Sequence, residues 1–495
     1  MKHKGALKVI VLALFLCLAA SVGLFLYNSN HVYSIKEGFT PLPLVYDPDD
    51  SSSAYVWNGT EVTVHGGFIK GTQSAKDGDR LVIRALSPLP SVSVEAKDAP
   101  ATNLWILIEN INPGYFASRI DKSLNPARIS VNTLEFSMNL GMGESKRIEP
   151  AQAEATAEDS YIILGDSRDG YETFGTIIQQ VNALKPAFVI DNGDLVYSGK
   201  PNQYRIFDQM VSGISSTVLT TLGNHDIRGN GRETYQRLYG PEYYSFDFGN
   251  SHFVFLDSSR GYAETQAISD GQYAWLERDL QKAQGKRIFV ISHVPPEDPR
   301  SGVQSNDAKA YTDKVKQEGG FVEQKLEAHS DEESMDHGFQ SKQEAERFEN
   351  LMTVYKVDTV YLSHIHSYFD FNKNGVRYII SGGAGAELLT LNSYYHYLIA
   401  KSGSTGALTM VQLPSPTNLL LKRYTAAVSL FAQAMYKENR VAVILFLTGF
   451  ALLLLLLLTI LAMKFNHGLS LFLRLMKDTG KYIAKRYLEL YKGKA

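Results

Sequence analysis

Cysteine is almost absent from this 495-residue chain, whose only cysteine is Cys17. One thiol allows neither a disulfide within the chain nor a cysteine-based zinc site, so a metal site must be built from nitrogen and oxygen ligands. Basic side chains are also outnumbered by acidic ones between residues 28 and 439, although the whole chain has a net charge of only −3. This acidic balance argues against nucleic acid as a partner.

Long uncharged apolar runs are limited to two, at residues 9–27 and 441–463. Each is long enough to cross a bilayer as a helix. Lysines precede the first run and a basic tail follows the second, which by the positive-inside rule predicts that both termini are cytoplasmic and the region between them extracellular. The sequence therefore predicts a two-pass protein of the cell membrane that contacts membrane lipids. The first run is interpreted as an uncleaved signal anchor, with a cleaved signal peptide as the alternative.

The hydrophobic pattern changes once between these runs. Residues 30–150 alternate apolar and polar side chains, with turn signals such as Asn58-Gly59, which predicts an all-β sandwich domain. From Ser160 onward, short apolar strands alternate with helical periods, which predicts an α/β domain. The predicted division is a signal anchor at 1–29, a β-sandwich domain at 30–150, a linker at 151–159, an α/β domain at 160–413, an amphipathic connector at 414–440, a transmembrane helix at 441–463 and a basic amphipathic cytoplasmic tail at 464–495.

Metal-ligating side chains follow five apolar runs of the α/β domain. Loops that leave the carboxyl ends of strands converge at one edge of an open sheet, so these side chains are expected to meet. Carboxylates, an amide and imidazoles in one place predict a metal site, and their number suggests two ions. The five blocks are Ile163 to Asp166, Val189 to Tyr197, Leu222 to Asp226, Val290 to His293 and Leu362 to His366.

The blocks and their order resemble the calcineurin-like metallophosphoesterase superfamily, over roughly residues 160–413. Gly193-Asp194-Leu195-Val196-Tyr197 is similar to the Gly-Asp-x-x-Tyr block of its purple acid phosphatase branch. Gly223-Asn224-His225-Asp226 and His364-Ile365-His366 are similar to later blocks. The resemblance implies an α/β (α+β) fold with a β-sandwich core flanked by helices. It also implies a pair of metal ions, iron with a second iron, zinc or manganese.

The resemblance further implies a role for each residue of the blocks. Asp194 would bridge the two ions, because both oxygens of a carboxylate can serve as ligands. A water shared by the metals would attack phosphorus, His225 would protonate the leaving group, and Asp226 would orient the His225 imidazole. The other implied ligands are Asp166, Tyr197 and His366 for the first ion, and Asn224, His293 and His364 for the second.

The first block departs from the family pattern at Asp166-Ser167-Arg168, where a histidine is missing. Arg168 would either clamp a substrate phosphate through paired hydrogen bonds or form an ion pair with a loop acid such as Asp169. Tyr197 would either fill the coordination gap as a phenolate ligand or pack beside the site. The ligand interpretation of Tyr197 is preferred because it supplies the missing donor.

These observations predict a membrane-anchored, metal-dependent phosphoric ester hydrolase whose substrate is a phosphate ester outside the cell. One alternative is a phosphodiesterase or pyrophosphatase that acts on lipid-linked or cell-wall phosphates. A second is a non-catalytic surface binding protein with a structural metal site. The sequence does not indicate an oligomeric state.

Overall fold

The computed structural model describes the two central domains and part of the C-terminal region. Most of the predicted anchor (1–29) and tail (464–495), and linker residues 152–159, lie outside the described residues. The chain separates into one compact unit over residues 30–434 and a second made of 1–29 and 435–495. The described ranges are 36–151, 160–259, 267–299, 337–388, 393–401, 407–416 and 420–455, with isolated residues nearer both ends.

The N-terminal part of the first unit consists of two β-sheets with one short helix. Alternate residues of its strands are buried, as in Thr60–His65 and Ser91–Ala96, because one face of each sheet packs on a shared apolar core. The strands are β1 (Phe39–Pro41), β2 (Ser52–Trp57), β3 (Thr60–His65), β4 (Gly67–Gln73), β5 (Arg80–Ala85), β6 (Ser91–Ala96), β7 (Ala101–Glu109), β8 (Ala127–Ser130), β9 (Thr133–Leu140) and β10 (Ser145–Ile148), and helix α1 is Pro113–Ala117. The strand orders are β1-β4-β5-β7-β9-β8 and β10-β6-β3-β2.

Among the described residues from Ser160 to Glu438, two further sheets and six helices follow. Their strands are β11 (Ser160–Leu164), β12 (Phe188–Asp191), β13 (Thr217–Thr220), β14 (Tyr244–Phe248), β15 (Ser251–Leu256), β16 (Arg287–Ser292), β17 (Thr359–Leu362), β18 (Tyr368–Lys373), β19 (Val376–Ser381), β20 (Tyr395–Lys401) and β21 (Leu408–Leu413). The helices are α2 (Tyr171–Leu184), α3 (Pro201–Val211), α4 (Gly231–Tyr239), α5 (Asp270–Lys282), α6 (Lys342–Val354) and α7 (Leu420–Glu438). The sheets have the orders β13-β12-β11-β20-β21 and β14-β15-β16-β17-β19-β18.

The central strands of this α/β domain are buried on both faces. Strand β12 has no exposed residue, which explains its continuous apolar run. Aromatic rings fill the space between the sheets, where the Tyr161 and Phe188 rings stack at 5.0 Å and Phe253 and Phe289 stack at 5.0 Å. On the outer face, α2 buries Phe174, Ile177 and Val181, which lie on one side of the helix. The predicted α/β sandwich with flanking helices is therefore present.

The two domains of this unit are joined by buried polar contacts. The Asn110 side chain donates to the carbonyl of Val218 at 2.8 Å and accepts from its N–H at 2.9 Å. The Trp275 indole on α5 donates to the carbonyl of Pro48 at 3.0 Å. Strand β13 is the edge strand of its sheet, and Asn110 of the N-terminal domain hydrogen-bonds to this edge.

The two transmembrane helices predicted at 1–29 and 441–463 are contradicted, so the two-pass membrane location with cytoplasmic termini is wrong. Within the described part of the chain, no helix combines the length and the apolar character needed to cross a bilayer. In the second run, unbroken helical residues are described over 440–455. Most of the first run lies outside the described residues.

Candidate metal centre

The five predicted blocks converge at the carboxyl ends of parallel strands. Strands β11, β12 and β13 run parallel in one sheet, and β16 and β17 run parallel in the other. Asp194, His293 and His364 offer ligand atoms within 4.8 Å of one another, and so do Asp166, Asp194 and His366. All five residues are buried. Two ligand groups that share Asp194 match the predicted two-ion arrangement.

Four of these side chains are aimed by an uncommon backbone conformation. Asp166, Asp194, His364 and His366 have φ values of 58°, 53°, 70° and 48°, in the left-handed region that residues other than glycine seldom adopt. Such conformations cost about 1–3 kcal/mol each and cluster at functional sites. Left-handed turns at both His364 and His366 allow two alternate residues to reach the same centre.

A close backbone approach explains the glycine of the Gly-Asn-His-Asp block. A Cβ atom on Gly223 would lie 2.2 Å from both the backbone nitrogen and Oδ1 of Asp194. No side chain fits there, so only glycine allows the loop after β13 to lie against the shared carboxylate.

Two of the candidate ligand histidines are oriented by backbone carbonyl groups. Nδ1 of His293 lies 2.7 Å from the carbonyl oxygen of Asn192, and Nδ1 of His366 lies 2.6 Å from that of Glu387. Because a carbonyl can only accept, each Nδ1 carries the proton, and each Nε2 presents its lone pair to the centre. Nε2 of His293 is 3.3 Å from Oδ1 of Asp194, and Nε2 of His366 is 3.4 Å from Oδ1 of Asp166.

The unsatisfied atoms of the site fit metal ions. Buried polar atoms almost always have a hydrogen-bond partner, and an orphan needs an explanation. Nitrogen and oxygen donors of this kind suit iron, zinc or manganese. The orphaned ligand atoms are Oδ1 of Asp166, Oδ2 of Asp194, Oδ1 of Asn224, Nε2 of His293 and Nε2 of His364.

Charge at the centre favours an ionised Asp194. Burial opposes its ionisation, but His225, His293 and Arg168 hold the pKa of Asp194 well below its usual range. Burial likewise opposes protonation of His293, yet Asp194 and Asp166 raise its pKa to about 9. Metal ions would take the place of this proton, since ligation requires neutral imidazole and ionised carboxylate.

His225 lies at the edge of the centre, with its side chain 14% exposed. Its Nε2 atom is 3.9 Å from Oδ2 of Asp194, and its Nδ1 atom is 2.6 Å from the carbonyl oxygen of Tyr197. The Asp226 carboxylate instead accepts hydrogen bonds from the N–H groups of Leu195, Val196 and Gly223. The structure therefore gives the orienting contact on His225 to the carbonyl of Tyr197, and Asp226 holds the loops together.

Tyr197 lies beside these residues and is half-buried. Its ring centre is 5.4 Å from that of His225, and the guanidinium carbon of Arg168 lies 5.1 Å from the Tyr197 ring centre. Ligation by its phenol stays a prediction.

Arg168 is paired inside the protein. Its guanidinium is 4% exposed, donates to Oε1 of Glu387 at 2.8 Å and places Nε 3.4 Å from Oδ2 of Asp194. Asp169, the partner considered from sequence, accepts instead from Arg423 at 2.6 Å. A guanidinium so enclosed is held by two carboxylates and is not directed to solvent.

Sequence reasoning missed three residues near the centre. Glu387 pairs with Arg168, and no motif marked it. The His337 ring lies 5.3 Å from that of His364, and the residues before it, 300–336, are not described. Nη2 of Arg228 lies 3.2 Å from Nε2 of His225. Its position three residues after His225 was the only available signal.

A layered α/β sandwich with a shared carboxylate between two ligand groups defines a candidate two-metal hydrolase. Residues 160–368 match the family model described as calcineurin-like phosphoesterase. The predicted resemblance to that superfamily is thus confirmed over these residues. The match supports the predicted hydrolase class.

Comparison with known proteins gives partial matches. The chain is 30% identical over 130 residues to glycerophosphodiester phosphodiesterase GpdQ of Enterobacter lignolyticus, which covers 24% of this chain and 46% of that protein. It is 32% identical over 138 residues to serine/threonine-protein phosphatase CPPED1 of Bos taurus, covering 24% and 44%. The chain thus spans about half the length of the curated relatives it matches. Purple acid phosphatase PPD1 from yellow lupin (Lupinus luteus) seeds is similar in structure, with 13% identity, a TM-score of 0.37 and coverage of 74% and 84%.

Proposed function

We propose that this protein hydrolyses phosphate esters with two metal ions held at the candidate centre. The observation that carries the proposal is the set of buried, orphaned ligand atoms around Asp194. When bound, the ions would supply Lewis-acid charge that activates a water for attack on phosphorus. Iron paired with iron, zinc or manganese suits the donor set. The proposed ligands are Asp166, Asp194, Asn224, His293, His364 and His366, with Tyr197 as a further candidate.

His225 is the proposed proton donor to the leaving group. It reaches the edge of the centre, and the carbonyl of Tyr197 fixes its Nδ1 atom, so that Nε2 faces the reacting region. A proton donor must come within hydrogen-bond distance of the leaving oxygen, which this placement permits. A structural metal site would need no such group, and this favours an enzyme over a binding protein.

Phosphodiesters are the first substrate class that we propose. Two curated relatives, from Enterobacter lignolyticus and Arcobacter nitrofigilis, carry the name glycerophosphodiester phosphodiesterase. Phosphate monoesters and pyrophosphate are the classes to compare, because the same centre can activate water against any of them.

The full chain, purified and loaded with metal, should be assayed with bis(4-nitrophenyl) phosphate, 4-nitrophenyl phosphate and pyrophosphate. His225→Ala should retain its metals and lose about 10²- to 10⁴-fold in kcat. His65→Ala, at an exposed histidine of the N-terminal domain, is the matched control and should leave kcat unchanged. A metal-loaded protein that hydrolyses none of these compounds would favour the binding-protein alternative.

A further inference from the structure

We infer that Arg228 is a specificity-determining residue that binds negative charge on the leaving group of the substrate. The inference rests on the proposed function and names a substrate class for it: phosphate compounds whose leaving group is itself anionic, as in a diphosphate.

The position of Arg228 is set by its contact with the proposed proton donor. Nη2 of Arg228 lies 3.2 Å from Nε2 of His225, the atom that would donate to the leaving oxygen. A leaving oxygen must come within about 3 Å of that nitrogen to receive a proton. The atoms attached to this oxygen then lie within reach of the guanidinium. Arg228 therefore lies beside the place that the leaving group would occupy.

The charge of Arg228 is not neutralised within the described part of the chain. Its contacts there are with two groups that carry no carboxylate charge, the His225 imidazole at 3.2 Å and the carbonyl oxygen of Tyr197 at 3.4 Å. The next two arginines are paired differently: Arg232 contacts Asp257 at 2.6 Å, and Arg237 pairs with Glu233. A half-buried guanidinium without a carboxylate partner is suited to an anionic ligand, because it can exchange weak contacts for charge-assisted hydrogen bonds.

Arg168 does not serve this purpose, although the sequence made it the first candidate for a phosphate clamp. Its guanidinium is 4% exposed and already lies between Glu387 and Asp194. The two arginines flank the same carboxylate region, but only Arg228 combines partial exposure with the absence of a described carboxylate partner.

The backbone that carries Arg228 is held by close packing. A Cβ on Gly199 would lie 2.2 Å from the carbonyl oxygen of Arg228, and a Cβ on Gly231 would lie 1.9 Å from that of Asp226. The Gly231 N–H donates to the carbonyl of Arg228 at 3.0 Å. Such contacts hold the loop in one conformation, so little conformational entropy is lost when a ligand binds.

Binding and turnover test the inference separately. On the metal-loaded full chain, calorimetry should compare methylenediphosphonate, which carries a second anionic group, with methylphosphonate, which does not. We expect Arg228→Gln to raise the dissociation constant of methylenediphosphonate at least 10-fold and that of methylphosphonate less than threefold. Arg228→Lys should have an intermediate effect. Arg237→Gln, at an exposed pair on the adjacent helix, is the control and should change neither affinity. Metal content measured on every variant verifies that the centre is intact.

The effect of Arg228→Gln on turnover should also differ between substrates with and without an anionic leaving group. Arg228→Gln should raise KM for pyrophosphate at least 10-fold and KM for phenyl phosphate less than threefold. Equal losses for both compounds, or a fall in kcat with KM unchanged, would show that Arg228 only positions His225 and would overturn the inference. The protein could hydrolyse none of the compounds while Arg228→Gln still selectively weakens binding of methylenediphosphonate. That result would reject the proposed hydrolysis but support the anion site at Arg228.

Discussion

Nε of Arg168 lies 3.4 Å from Oδ2 of Asp194, so the shared carboxylate of the candidate centre has a permanent cation beside it. The same guanidinium donates to Glu387 at 2.8 Å. The family pattern has a histidine in this block. Here the block has Arg168 instead, and its positive charge lies beside the candidate ligand Asp194.

Removal of this cation should destabilise the protein. Arg168→Ala leaves Asp194 and Glu387 without their partner in a buried setting, and breaking such a pair costs about 3–5 kcal/mol. Urea unfolding in the presence of a chelator would measure the loss in the free energy of unfolding. Arg237→Ala, at an exposed ion pair, should cost no more than about 1 kcal/mol. Similar losses in both variants would contradict a structural role for Arg168.

Asp194→Asn should lose both metal ions, because an amide cannot supply two anionic oxygens to the two groups of ligands. Metal content per chain after dialysis would measure this. Asp191→Asn is the matched control, because burial raises the pKa of Asp191 well above its usual range and so favours the neutral carboxyl, which the amide resembles. Full metal content in Asp194→Asn would remove Asp194 as the shared ligand.

Tyr197→Phe should bleach any charge-transfer band of an iron-loaded protein. A phenolate ligand to Fe(III) absorbs visible light, and the cation lowers the high pKa of the phenol enough for ligation at neutral pH. Visible absorption before and after the substitution would measure this. Tyr171→Phe, whose hydroxyl donates to Asp169 at 3.2 Å, should leave the spectrum unchanged. A colourless protein with bound iron would show that Tyr197 only packs beside the site.

Stability should fall between neutral and alkaline pH because of His252. Burial opposes its protonation, but hydrogen bonds to Asp247 on β14 and Asp279 on α5 raise the pKa of His252 to about 9. Lys286 also contacts Asp247 and Ser245 donates to Asp279, so both carboxylates have second partners. A folded pKa above the unfolded value of about 6.5 stabilises the fold fully below pH 6.5, and this contribution is lost as the pH rises through 9.

The expected loss is on the order of 2–3 kcal/mol in the free energy of unfolding. Denaturation of the chelated protein at a series of pH values from 6 to 10 would measure it. His252→Gln cannot take up the proton and should flatten the dependence in this range. An unchanged slope in that variant would assign the effect to other groups.

Local patterns predicted much of the α/β domain. The predicted alternation of strands and helices from Ser160 onward is present, with helix α2 over Tyr171–Leu184 and helix α6 over Lys342–Val354. Strand β18 has no buried residue, and such partial burial gives a weak strand signal. Hydropathy alone predicted a membrane span at residues 441–463, whereas no helix in the described part of the chain has the length and apolar character of a span.

The order of side chains along the chain was sufficient to predict that Asp166, Asp194, His293, His364 and His366 lie close together. Each of these residues lies in the loop after a strand, and parallel strands bring their carboxyl ends to one edge. Contacts between distant segments could not be read in this way: Arg168 and Glu387 are 219 positions apart, and Asn110 and Val218 are 108 apart. Periodicity reports which face of an element is buried, whereas the partner of a buried charge depends on how the elements pack. Tertiary structure therefore decided that Arg168 lies between Asp194 and Glu387, that Asp226 holds the loops together and that Arg228 lies beside His225.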